Sequence, residues 1–62
     1  MIEKFFEHLQ SEGFAYSNNE YSRKDGNYIE TYSPSENDNE VVHRLIEPSG
    51  AIYREETITL TF

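Results

Sequence analysis

The sequence predicts an α+β domain: one N-terminal amphipathic helix packed on a curved antiparallel β-meander of about four to five strands. Three observations carry that prediction. Apolar residues recur at helical spacing over the first dozen positions, the period falls toward two from residue 14 onward, and the later runs are divided by Asn-Asn, Asp-Gly and Pro-Ser-Gly at hairpin spacing. Strands in series with short turns and no crossover helix exclude a parallel sheet. Residues 1–62 read as a single domain, without internal repeat or linker.

Ile2, Phe5, Phe6 and Leu9 stand at i, i+3, i+4 and i+7, one stripe on a helix whose other faces carry Glu3, Lys4, Glu7, His8, Gln10 and Glu12. Gly13 suits the left-handed residue just past the helix end. Phe14 then falls where a Schellman stop sets an apolar residue against Leu9. Three turns of helix do not persist alone in water, so the phenylalanine pair must dock on something.

Strands are expected near 14–17, 20–24 and 27–33. A turn at Asn18-Asn19 pairs Tyr16 with Tyr21, and one at Asp25-Gly26 pairs Lys24 with Asn27, Arg23 with Tyr28, Ser22 with Ile29 and Tyr21 with Glu30. Both turns put Phe14, Tyr16, Tyr21, Tyr28 and Tyr32 on one face, with Ala15, Ser22, Ile29 and Thr31 on the other. A three-stranded sheet with 14–26 mostly loop is the alternative.

Ser33 to Glu40 reads as a solvated loop that breaks the meander. An apolar strand resumes at Val41–Ile46, and Glu47-Pro48-Ser49-Gly50 has the Pro and Gly of a type I turn, which sets Leu45 opposite Ile52 and His43 opposite Arg54. Residues 57–62 alternate threonine with Ile58, Leu60 and Phe62, as a strand with one dry face requires. Unbroken alternation would add Arg54 and Glu56 to that dry face. A bulge at Glu55-Glu56 removes the conflict, and a bend or bulge is expected there.

The totals narrow the function. A 62-residue chain buries only about 60% of the surface its unfolded form exposes, so its stability is marginal, and without cysteine it has neither disulfides nor thiolate metal sites to add. No apolar run reaches the ~20 residues of a membrane span, and residues 1–6 do not resemble the start of a signal peptide; the expected location is cytoplasmic, with no membrane partner. Twelve acidic against five basic side chains give a net charge of -7, which disfavours direct nucleic-acid binding and favours a basic protein surface.

Candidates for chemistry are few. His8 and His43 are the residues able to act as a base near neutral pH. His8 belongs to the polar flank of the helix, and His43, in a strand between hydrophobics, reads as a packed or edge residue paired with a carboxylate. Glu36, Asp38 and Glu40 cluster, but counting a calcium loop from Asp38 puts His43 where Gly is needed and Ser49 where Glu is needed. Three separated glycines make no phosphate cradle. No enzyme activity and no cofactor are expected.

Five tyrosines and four phenylalanines exceed what one thin core hides. Tyr16, Tyr21, Tyr28, Tyr32 and Tyr53, with Arg23 among them, are the candidate protein-binding residues. The reading is a small acidic binding module, such as an inhibitor of phage or mobile-element type that occupies a larger host protein. The alternative is a self-associating accessory protein, a homodimer in its simplest form. Mimicry of DNA would need about eight acids on one side of a globule with radius of gyration near ~11 Å, whereas the twelve are scattered among basic residues.

Overall fold

The computed structural model describes residues 2–61. Helix α1 (Ile2–Ser11) is followed by β1 (Ala15–Ser17), β2 (Glu20–Asp25), β3 (Tyr28–Pro34), β4 (Glu40–Ile46) and β5 (Ile52–Thr59). The strands form one antiparallel sheet in the order β1-β2-β3-β4-β5, an open meander. Its Cα radius of gyration is 11.5 Å and its longest dimension 33 Å.

The helix stop is the one expected. Phe14 N–H donates to the Leu9 carbonyl at 3.0 Å and Gly13 N–H to that of Gln10 at 3.1 Å, with Gly13 at φ +94°. These are the paired bonds of a Schellman motif. Leu9, Phe14, Val41 and Leu60 form the buried core between helix and sheet. Aromatic contacts fasten the helix above it: Phe6 stacks on Tyr21 at 4.7 Å and Phe5 meets Tyr32 edge-on at 5.3 Å.

Asn18 and Asn19 both adopt positive φ, and Tyr16 pairs with Tyr21 as predicted. The next hairpin differs. Positive φ there falls on Gly26, so Gly26-Asn27 becomes the two-residue loop with glycine first, as a type II′ turn prefers. Asp25 therefore pairs with Tyr28, Arg23 with Glu30 and Tyr21 with Tyr32. The expected partners were two positions off. An even slip keeps every side chain on its face, so the division into an aromatic and an opposite face survives.

The acidic loop is shorter than the sequence suggested and does not break the meander. β3 continues to Pro34, β4 begins at Glu40, and Ser35 N–H donates to the Glu40 carbonyl at 3.1 Å. Glu40 closes the loop with its side chain too, accepting from Ser35 Oγ at 2.9 Å and Asn37 Nδ2 at 3.0 Å. Those two donors hold its carboxyl below the usual carboxylate range.

The last hairpin carries two extra residues. Gly50, at φ +93°, donates to the Glu47 carbonyl at 2.8 Å, which completes the four-residue turn. The pairing of Ile46 with Ile52 but Leu45 with Arg54 leaves Tyr53 as a bulge. The bulge thus lies at Tyr53 and not at Glu55-Glu56. His43 opposes Glu56, and from Arg54 to Thr59 the alternation is regular, so Arg54 and Glu56 do share the face of Ile58. Glu56 is tolerated there because His43 gives it a partner. Leu60 is buried just past the strand, whereas Phe62 lies outside the described residues.

Candidate functional site

The register sorts the candidate residues. Tyr16, Tyr21, Tyr32, His43 and Glu56 make one row across the helix-side face, and Arg23, Glu30, Leu45 and Arg54 make the next. Tyr28 stands beyond these, one position further from the helix, and Tyr53 joins it with ring centroids 5.3 Å apart.

The helix divides this face. Tyr21 and Tyr32 lie half-buried against Phe6 and Phe5. Tyr16 remains 57% exposed at the β1 edge, its hydroxyl 3.3 Å from Asn19 Oδ1, and Tyr53 remains 58% exposed at the β5 edge. Arg23, though exposed, lies along the end of the helix. Its guanidinium sits 4.3 Å from the centre of the Phe14 ring, donates to the Glu12 carbonyl at 2.8 Å and reaches Glu30 at 3.4 Å. One cation thereby ties the end of α1 to β2 and β3.

Beside that clasp is a polar cluster that pattern alone did not assemble. His43 Nε2 lies 2.8 Å from Glu30 Oε2 and Nδ1 lies 3.2 Å from Glu56 Oε1, while the imidazole stacks on Tyr32 at 4.5 Å. Tyr32, between this cluster and the helix, has its hydroxyl pKa raised first by burial and then by the charges of Glu30 and Glu56. His8, by contrast, is exposed and meets Glu12 at 3.8 Å along the helix. Among the described residues, no group of three or more His, Cys, Asp and Glu is placed to hold a metal ion.

An open cleft of about 270 Å³ lies where the end of α1 meets β2 and β3, floored by Phe5, Leu9, Phe14 and Tyr32 with Arg23 and Glu30 at its polar side. A second hollow, about 430 Å³, adjoins Pro34, Ser35 and Asn37. Among the described residues no helix is long and apolar enough to cross a membrane.

On the face away from the helix, Ile29, Ile46 and Ile52 stand in register across β3, β4 and β5. Ile29 is 40% and Ile52 56% exposed. This row was missed in the sequence because Ile52 seemed to face Leu45; the extra residues of the last hairpin move it. Thr31, in the central strand of the same face, is 1% exposed, and its hydroxyl has no hydrogen-bond partner among the described residues.

Comparison of the chain with protein-family models, with curated proteins and with solved structures finds no match.

Proposed function

We propose that this domain is an acidic protein-binding module that acts by occupying a larger protein with a basic surface, and that it binds through the part of the sheet the helix leaves open. The observation that carries this reading is β5, exposed at seven of its eight positions. At its start Ile52 and Tyr53 offer more than half of their surface to solvent on a chain of net charge -7. Apolar and aromatic anchors within an acidic surround suit a basic partner, since the rings supply affinity and the charge supplies approach rate and selectivity.

Of the candidate binding residues, Tyr53, Tyr28 and Tyr16 are the contacts this reading uses. Tyr21 and Tyr32, half-buried against the helix, and Arg23, bonded to Glu12 and Glu30, hold the sheet beneath them. Affinity capture with the tagged chain tests the reading when an Ile52→Ser, Tyr53→Ser double variant is run beside it. Proteins retained by the native chain and lost with the variant, at unchanged circular dichroism, are the expected outcome. Equal recovery by both chains would remove the open end of the sheet from the function.

Self-association is the second reading, favoured by the Ile29–Ile46–Ile52 row, exposed at Ile29 and Ile52, which a second copy could cover with its own. Light scattering on the eluting peak decides it: a mass of two chains that falls to one with Ile29→Ser supports the dimer.

A further inference from the structure

The two edges of the sheet are not alike. β1 is three residues long, too short to offer much pairing, whereas β5 runs from Ile52 to Thr59 with no further strand outside it among the described residues. Its stretch from Arg54 to Thr59 has no proline and no irregularity, so the devices that blunt an edge are missing there apart from charge.

The hydrogen bonds fix which backbone groups are open. Leu60 N–H donates to the Asn39 carbonyl at 2.7 Å, so residue 60 turns its polar groups toward the β4 side. Alternation along an antiparallel ladder then turns Glu56 and Ile58 inward and leaves the N–H and C=O of Glu55, Thr57 and Thr59 pointing out of the sheet. Three residues with both backbone groups outward are a template for one more strand.

Charge decides what that strand is. Glu55 and Glu56 are neighbours at the middle of β5 and point to opposite faces, so they present carboxylates above and below the edge. A second copy paired antiparallel with full overlap would bring Glu55 against Glu55, or Glu56 against Glu56, at the twofold axis, and like charges directly opposed destabilise a pair of strands. Glu55 is already bonded to Arg44 Nε at 2.5 Å and Glu56 to His43, which orients both carboxylates without covering them: their side chains stay 49% and 54% exposed.

We infer that the outer edge of β5 accepts an extended, lysine- or arginine-bearing segment of a partner protein as a sixth antiparallel strand, with two adjacent cations opposite Glu55 and Glu56. The inference rests on the proposed binding function and names its docking element and the chemistry of the partner. Backbone bonds at Glu55, Thr57 and Thr59 hold the strand, and the two carboxylates select it.

The test uses the intact chain and synthetic peptides. The probe is acetyl-Thr-Val-Thr-Lys-Lys-Thr-amide, whose lysines fall opposite Glu56 and Glu55 when its first residue faces Thr59. Its controls are the Glu-Glu counterpart and two N-methylated forms. Methylation of the third and fifth residues blocks the amides that face β5; methylation of the second and fourth blocks those that face away. Amide exchange and chemical shifts are followed by NMR.

The lysine peptide should slow exchange at Glu55, Thr57 and Thr59 but not in α1, the Glu-Glu peptide should bind at least about tenfold more weakly, and methylation should abolish binding only at the third and fifth residues. Binding indifferent to the methylation pattern, or mapped to the Ile29–Ile46–Ile52 row, would overturn the edge while leaving a cationic partner in place. Absence of binding by the lysine peptide would overturn the edge as well, and the capture experiment with Ile52→Ser, Tyr53→Ser then stands or fails independently. Protection of the same three amides without peptide, with a dimer mass by light scattering, would show a second copy there instead.

Discussion

Tyr32 and Tyr53 project from the same sheet, yet one is packed against Phe5 of the helix and Phe14 just past it, and the other is 58% exposed. The difference is one of reach. A helix of ten residues is about 15 Å long, and it lies on a fold whose long dimension is 33 Å. It covers the rows of Tyr21, Tyr32 and Val41 and ends at Arg23. Tyr28 and Tyr53 lie beyond its reach, and the isoleucine row is on the opposite face of the sheet. One end of the molecule is a core with aromatic walls, and the other end carries exposed apolar side chains on both faces.

The comparison breaks most readily at Leu9, which is 4% exposed beneath the helix. Leu9→Ala should cost about 2–4 kcal/mol, and in a domain this small that lowers the melting temperature by well over ten degrees or abolishes the transition; a smaller loss would mean the helix is not what holds this end together. Thr31→Val should act in the opposite direction. It removes a buried, unpaired hydroxyl at almost constant shape and should raise stability by about 1 kcal/mol in a denaturant titration; a loss would mean that the hydroxyl has a partner in solution.

Tyr32 also gives the covered end a pH signature. Its pKa is raised in the fold, chiefly by burial, so its stabilising effect is complete below the ordinary tyrosine pKa and is lost as pH rises through the folded value. Unfolding followed above pH ~10 should therefore begin at higher pH in Tyr32→Phe than in the native chain. The smallest effect is expected at the open end, where Ile52→Ser should alter stability by less than about 0.5 kcal/mol while weakening capture of a partner.

Pattern alone located the helix, its Schellman stop, the Asn18-Asn19 turn and the sharing of one face by Tyr16, Tyr21, Tyr28 and Tyr32, because each depends on a local period or on backbone preferences of one or two residues. It misplaced the partners across two hairpins and put the bulge at Glu55-Glu56. The slip in the second hairpin came from one residue: Gly26 could occupy either central position of the turn, and only pairing along the whole of β2 and β3 chooses between them. Where the slip was even, across β2 and β3 and from Arg54 onward, faces were readable though partners were not; Ile52, displaced by one position, changed face.

What the sequence determined by itself is therefore the periodic content: a ten-residue amphipathic helix, strands with one aromatic face, an acidic chain without cysteine. Tertiary structure alone decided that Arg23 closes the helix against Glu30, that His43 meets two carboxylates from strands on either side, and that Ile29, Ile46 and Ile52 line up on the open face. The physical reason is the range of the interactions. Periodicity is a property of neighbouring residues, whereas cross-strand partnership depends on how many residues each turn consumes, and a single residue taken up at Gly50 or Tyr53 redirects every pairing that follows.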